Sequence, residues 1–158
     1  MELVVIPEGV EEIGRLCFCE CEKLGNMNIP ASVTKIGCYF MNETAWYDAQ
    51  PNNRLLCLDG WLLNWKGNKS EVSKVEVLPG TKGIAELAMW GADNLSTLTI
   101  PSTIQYINEN AFKGCDKLIQ VNISDLEAWK RITFGNDDSN PTKFSHSLTV
   151  NGQTITSW

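Results

Sequence analysis

The chain has 158 residues, 43% of them hydrophobic and 20% charged, which is enough for one ordinary globular domain with a buried core. Its 13 basic and 19 acidic residues give a net charge of -6, which argues against the basic surface that nucleic acids and anionic membranes require. No apolar run is long enough for a membrane-spanning helix, so we expect neither membrane insertion nor a nucleic-acid partner.

The first predicted element is a short strand that begins a repeat. Apolar triplets of the form Leu-x-x-Leu-x-Ile end at Ile6, Ile29, Val77, Ile100 and Ile123. The steps are 23, 48, 23 and 23 residues, so the second step holds about two units, one of them altered. The alternation predicts a strand whose second leucine and final isoleucine point inward. A unit of this size cannot bury its own apolar face, so we predict units stacked as coils of a solenoid.

A second strand is predicted in each regular coil. An isoleucine recurs seven residues after the triplet end, in phrases such as SVTKIG at 32–37. These isoleucines are Ile13, Ile36, Ile84 and Ile107. A helical turn with a small and then a large apolar residue should follow, as in Ala88-Met89, with glycine at its exit. Eight residues past each isoleucine is a ladder position, where a side chain is expected to stack on its counterparts in neighbouring coils. It carries Cys21, Thr44, Ala92 and Cys115.

The repeat is interrupted by two segments with hairpin signals. The sequences LLCLDGWLLNW and LTVNGQTITSW each place Asp-Gly or Asn-Gly between two apolar runs, which favours a type I′ turn. The sequence ISDLEAW indicates a helix start, with Ser124 or Asp125 as the N-cap.

The chain is therefore predicted to be a single α/β repeat domain over residues 1–158. It would be a solenoid of about 23-residue coils with short parallel strands, short helical turns and two β-hairpin insertions. The predicted parts are regular coils at 1–45, an irregular coil with a hairpin at 46–71, regular coils at 72–123, and a helix start with a terminal hairpin at 124–158.

The pattern IPxSVTxIGxxAFxxCxxLxxLxI resembles the BspA-like class of leucine-rich repeats, from Met1 to about Ile123. The resemblance implies a bacterial surface or secreted protein, and therefore an extracellular or cell-surface location. It also implies adhesion to, or binding of, host proteins, matrix or other cells. In this family Cys21 and Cys115 would be ladder positions of the core.

The termini raise the question of completeness. The first residues contain neither the basic segment nor the cleavage site of a signal peptide, and they already belong to the repeat. We therefore expect a processed chain or an excised piece of a longer protein. Leu3 and Val5 should point outward from the first strand.

Catalysis and metal binding have little support in the sequence. The spacing of the cysteines matches no known ligand set, and His146 is the only histidine, so we expect buried free thiols and no metal or other cofactor. Neither G-x-S-x-G nor a glycine-rich phosphate loop occurs. A cysteine-dependent enzyme that uses His146 is a remote alternative, and we expect no catalytic residues.

Binding is the function that the architecture favours. The residues that flank the second leucine of each triplet should point outward and form a row of polar side chains across the sheet. This candidate ligand-binding row is Asn26, Asn28, Lys74, Glu76, Thr97, Thr99, Gln120 and Asn122. The alternative is that these are ordinary solvated strand residues.

Three tryptophans are candidate exposed aromatic contacts. Trp61 and Trp65 should share one face of the second hairpin strand, and Trp90 follows a large core position. Exposed tryptophans could stack on sugar rings or anchor a protein partner, or they could pack a hairpin onto the core. The sequence thus predicts a non-enzymatic module that binds a protein or a glycan, with a structural spacer in a larger surface protein as the alternative.

Overall fold

The computed structural model describes all 158 residues. In chain order its elements are β1 Glu2–Val4, β2 Glu12–Ile13, β3 Leu24–Met27, β4 Lys35–Ile36, α1 Ala45–Ala49, β5 Arg54–Leu58, β6 Trp61–Lys66, a 3-10 helix Lys69–Glu71, β7 Lys74–Glu76, β8 Gly83–Ile84, β9 Thr97–Thr99, β10 Tyr106–Ile107, β11 Gln120–Ile123, α2 Leu126–Lys130, β12 Thr133–Phe134, a 3-10 helix Asp137–Ser139, α3 Thr142–Ser145, β13 Leu148–Val150 and β14 Gln153–Ile155.

The strands form two parallel series, one for each strand position of the repeat. The first series has a pair β1-β3 and a five-stranded sheet in the order β14-β13-β11-β9-β7. The second series has a pair β2-β4 and a five-stranded sheet in the order β12-β10-β8-β6-β5. Strands one unit apart pair in parallel, for example β7 with β9 and β9 with β11. This confirms the predicted leucine-rich-repeat solenoid.

The segment after each second strand is a series of turns, and not the helical turn that the sequence predicts. Two backbone positions in each regular coil have positive φ, which interrupts a right-handed helix. The first is occupied by Leu16, Tyr39, Leu87 and Asn110, with φ of 55°, 56°, 56° and 56°. The second is occupied by Glu20, Glu43, Gly91 and Gly114, with φ of 64°, 58°, 84° and 81°. The α-helices lie in the irregular coils, where Asp125 caps α2 by accepting a hydrogen bond from the Ala128 N–H at 2.9 Å.

Both predicted hairpins are present, and each adds a strand to the solenoid. Asp59-Gly60 and Asn151-Gly152 have the paired positive φ values that a type I′ turn requires. In the first hairpin β6 is antiparallel to β5 and parallel to β8. In the second, β13 is antiparallel to β14 and parallel to β11. The first strand of the terminal hairpin therefore continues the first strand series. Its second strand, β14, is the antiparallel strand at the edge of that sheet.

The β5-β6 hairpin separates two hydrophobic clusters. Leu62 belongs to the larger cluster, which the coils after the hairpin build around Leu98 and Phe112. Trp61 belongs to the smaller cluster, with Ile36 and other residues of the first two coils. The hairpin thus packs on both faces, which explains the near-continuous apolar run of β6.

The cysteines are less buried than the sequence predicts. Cys115 is fully buried, as a ladder position should be, but Cys17 and Cys21 are exposed, and Cys19, Cys38 and Cys57 are partly exposed. The prediction for Cys21 is therefore wrong. Cys17 and Cys21 lie in the first coil, which packs against another coil on one side only in this structure, whereas Cys115 has coils on both sides.

Candidate functional site

The polar strip, defined here as Lys74, Glu76, Thr97, Thr99, Gln120 and Asn122, lies on three adjacent parallel strands. Lys74 is opposite Thr97, and Thr97 is opposite Gln120. The residues between the strip positions point inward: Val75, Leu98 and Val121 are buried, at no more than 2% exposure. None of the six strip side chains is buried, because successive side chains of a strand alternate between its faces.

Side-chain hydrogen bonds order one end of the strip. The Gln120 amide Nε2 donates to Oδ1 of Asn122 at 2.9 Å, and Nδ2 of Asn122 donates to Oγ1 of Thr99 at 3.4 Å. These bonds restrict the rotamers before any ligand is present, which lowers the entropic cost of binding.

Asn26 and Asn28 do not join the strip, contrary to the single row that the sequence predicts. Asn26 lies on β3 and Asn28 directly follows it, and β3 pairs with β1 and not with β7. The side chain of Asn28 is also occupied, since its Oδ1 accepts from the Ile6 N–H at 2.7 Å and its Nδ2 donates to the Ile6 carbonyl at 2.8 Å. At the corresponding positions of the first coil, Leu3 on β1 and Val5 just after it are 63% and 71% exposed, as expected.

Sequence reasoning missed Thr149, which closes the strip at the same end, beside β11. Thr149 lies opposite Asn122 on β13, but it is only 7% exposed. Its hydroxyl is 3.3 Å from the hydroxyl of Thr154 on β14, which covers it. The polar Thr149 between the apolar residues Leu148 and Val150 is the sequence feature that could have predicted it.

Trp61 is not an exposed aromatic contact, because its side chain is fully buried. The β5-β6 pairing changes register at Leu63: Leu56 is opposite Asn64, but Cys57 is opposite Leu62. The extra residue is a β-bulge that reverses the alternation, so Trp61 and Trp65 face different hydrophobic clusters. The prediction that they share a face is wrong.

The other two candidate tryptophans are accessible to different degrees. Trp90 is 49% exposed, and Trp65 is half-buried against the larger cluster. The indole Nε1 of Trp65 is buried and has no hydrogen-bond partner, so the ring carbons form its accessible part.

Five thiols have raised pKa values. Burial is the largest cause for Cys17, Cys19, Cys38, Cys57 and Cys115, and it raises the pKa of Cys115 to about 12. A raised pKa reduces the fraction of thiolate, which is the nucleophilic form. No group of three or more Cys, His, Asp or Glu side chains is arranged to hold a metal ion. No helix has the length and hydropathy needed to cross a membrane.

Comparison with known proteins gives matches to leucine-rich repeats. The family model described as the BspA type leucine rich repeat region matches residues 1–53 and 67–155, in six copies. A leucine-rich cell surface protein of Faecalibacterium prausnitzii A2-165 is similar over 85% of this chain and 35% of its own, with 20% identity and a TM-score of 0.41.

A leucine-rich repeat protein of Bacteroides ovatus ATCC 8483 is similar over 78% of this chain and 33% of its own, with 26% identity and a TM-score of 0.33. The chain thus spans about a third of the length of these two solved structures. No curated protein matches it significantly.

Proposed function

This chain belongs to the BspA-type leucine-rich repeat family, and on that premise we propose that it is a non-enzymatic recognition module whose polar strip binds a protein or glycan partner. The family resemblance also supports an extracellular or cell-surface location. The observation that carries the proposal is the register of the six strip residues on three adjacent strands, with all six side chains accessible.

The chemistry of the strip suits recognition. Four of its six side chains are uncharged hydroxyls or amides, which cost less to desolvate than ionised groups. They can both donate and accept hydrogen bonds, so they can match peptide groups or sugar hydroxyls. The strands below them are fixed by buried side chains, so the spacing of the strip does not depend on a mobile loop.

The thiols support the non-enzymatic part of the proposal. A cysteine nucleophile needs a lowered pKa, and the pKa values of five of the six thiols are raised.

The test is a binding screen of the intact chain against a glycan array and a panel of host and matrix proteins. Thr97→Glu and Gln120→Glu place a carboxylate in the strip without altering the buried face, and we expect either change to abolish binding. Asn26→Glu is the matched control, since Asn26 is an exposed strand residue on the separate β1-β3 pair. Equal binding by the strip variants would refute the strip as the binding surface.

A structural spacer is the second candidate, and the exposed apolar side chains of the first coil favour it. Leu3 and Val5 occupy positions that are polar on the other strands of the series, as expected of a surface that packs against protein. A folded chain that binds no probe in the screen would favour the spacer.

A further inference from the structure

A pocket of about 340 Å³ lies at the interruption of the first strand series, between β7 and the open end of the β5-β6 hairpin. This volume is in the range of small-molecule sites. We call it the edge pocket; Trp65 and Val72 are its apolar lining residues, and Asn53, Asn68, Glu71, Ser73 and Lys74 are its polar ones.

The edge pocket exists because β7 has no neighbour on one side. Thr97 N–H donates to the Ser73 carbonyl at 3.2 Å, and Val77 N–H donates to the Thr99 carbonyl at 3.0 Å. In a parallel pair these bonds direct the peptide groups of Lys74 and Glu76 away from β9. β7 is the last strand of its sheet, so main-chain donors and acceptors lie beside the pocket.

The far wall of the edge pocket is held in place. Trp65 pairs with Leu55 across the hairpin and packs on the larger cluster. Next to it, the ammonium of Lys66 donates to the carbonyls of Tyr47 and Gln50, each at 2.7 Å, and so ties the hairpin to α1. Since Nε1 of Trp65 is buried, the indole offers ring carbons to a ligand.

Polar groups surround this aromatic surface. The side chain of Asn68 donates to Oε1 of Glu71 at 2.9 Å, which leaves the other carboxylate oxygen of Glu71 available. Asn53 and Ser73 are exposed. Glu71 and Lys74 are the charged residues of the lining and have opposite signs, so the pocket suits a ligand without net charge.

We propose that the edge pocket binds one ring of a neutral carbohydrate, with the ring against the Trp65 indole and its hydroxyls bonded to Asn53, Glu71 and Ser73. An aromatic surface ringed by amide, carboxylate and hydroxyl groups matches a ring with an apolar face and polar edges. The inference rests on the proposed recognition role, names the ligand class, and places it at the Lys74 end of the polar strip, since Lys74 also lines the edge pocket. A peptide strand fits less well, because the three residues of β7 offer too short an edge for strand addition.

The experiment measures the affinity of the intact chain for neutral oligosaccharides that contain glucose, galactose, mannose or N-acetylglucosamine, by glycan array and then by titration calorimetry. We expect Asn53→Gly to weaken binding about tenfold, and Trp65→Phe by a similar factor. Asn53 has φ of 59°, so glycine removes the amide without backbone strain. The matched control for Asn53→Gly is Asn151→Gly, at another exposed residue with positive φ. The matched control for Trp65→Phe is Trp90→Phe, and both controls should leave the affinity unchanged.

The outcomes separate the two proposals. Sugar binding weakened about tenfold in both pocket variants, with normal circular dichroism, supports the inference. Sugar binding that fails only in Thr97→Glu, or capture of a protein or peptide with no sugar bound, overturns the inference and leaves the recognition role standing. If neither sugars nor proteins bind, both proposals are overturned.

Discussion

Glu86 and Arg15 are 71 residues apart in the chain and form a two-point ion pair across the interruption of the solenoid. Nε of Arg15 donates to Oε2 of Glu86 at 2.7 Å, and its terminal nitrogen bonds the other oxygen. The same Oε2 accepts from the N–H of Cys38 at 3.1 Å. The Glu86 side chain is 3% exposed, so one buried carboxylate connects the first two coils to the next regular one.

Glu86→Gln should lower the free energy of unfolding by about 2 kcal/mol, because it removes the charge-assisted bonds of a buried group. Urea unfolding followed by circular dichroism measures this. Glu109→Gln is the matched control: Glu109 is 4.0 Å from the same guanidinium and 38% exposed, so the change should cost less than about 0.5 kcal/mol. Equal losses would contradict a special role for Glu86.

The contribution of Glu86 should depend on pH. Burial by itself raises its pKa, but the hydrogen bonds from Arg15 and Cys38 outweigh burial and lower it. A carboxyl whose pKa is lower in the folded state stabilises the fold above its unfolded pKa of about 4.3, and this contribution is lost as the pH falls through the folded pKa. The stability difference between wild type and Glu86→Gln should therefore shrink from pH 7 to pH 3. A constant difference would contradict this assignment.

Asn108 plays a similar part with an uncharged side chain. It is 7% exposed, its Oδ1 accepts from the Ile36 N–H at 2.8 Å, and its Nδ2 donates to the Thr34 carbonyl at 3.2 Å. Asn108→Ala should cost about 2 kcal/mol of unfolding free energy, because the Ile36 N–H and the Thr34 carbonyl lose their partner. The exposed Gln105→Ala is the control, and a similar loss there would refute the expectation.

The second positive-φ position of each coil predicts a stabilising substitution. Glu43 is exposed with φ of 58°, where an L-residue is strained, while Gly114 occupies the same position of another coil. Glu43→Gly should raise the thermal midpoint of unfolding, because the free energy of unfolding increases by about 1 kcal/mol. Gly114→Ala should lower the free energy of unfolding by a similar amount. A Cβ there meets no atom within 4 Å, so the loss comes from the positive φ of the backbone and not from a steric clash. Changes of the same sign would contradict the backbone argument.

Lys69 occupies a ladder position that carries Ala92 and Cys115 in the next coils. The carbonyl of each of these three residues accepts a hydrogen bond from the N–H three residues later. For Lys69 the donor is the N–H of Val72, at 3.1 Å. Burial lowers the pKa of Lys69 to about 8. The ammonium form therefore opposes folding below that pH, and stability should rise with pH between about 8 and the unfolded value of about 10.4.

Lys69→Met should accordingly stabilise the protein by about 2 kcal/mol at pH 7, and by much less above pH 10. Chemical unfolding at both pH values measures the difference. The exposed Lys113→Met is the control and should show neither effect. A gain that does not depend on pH would assign it to packing alone.

The sequence alone determined the period, both strand series and the two hairpins. These features depend on local chemistry: alternation sets which face of a strand is buried, and Asp59-Gly60 and Asn151-Gly152 favour the backbone that a tight turn requires. The strip residues from Lys74 to Asn122 were predictable for the same reason, since regular spacing repeats the same environment in each coil.

The tertiary structure decided what happens where the repeat is interrupted. A single bulge at Leu63 turns Trp61 and Trp65 to different faces of the hairpin. No strand of the first series lies between β3 and β7, which separates Asn26 from the strip and opens the edge pocket. Cys21 is exposed and Cys115 buried because one coil has a single neighbour and the other has two. Glu86 and Asn108 meet partners about 70 residues away. Periodicity describes a coil among equal neighbours, so it carries no information where the neighbours differ.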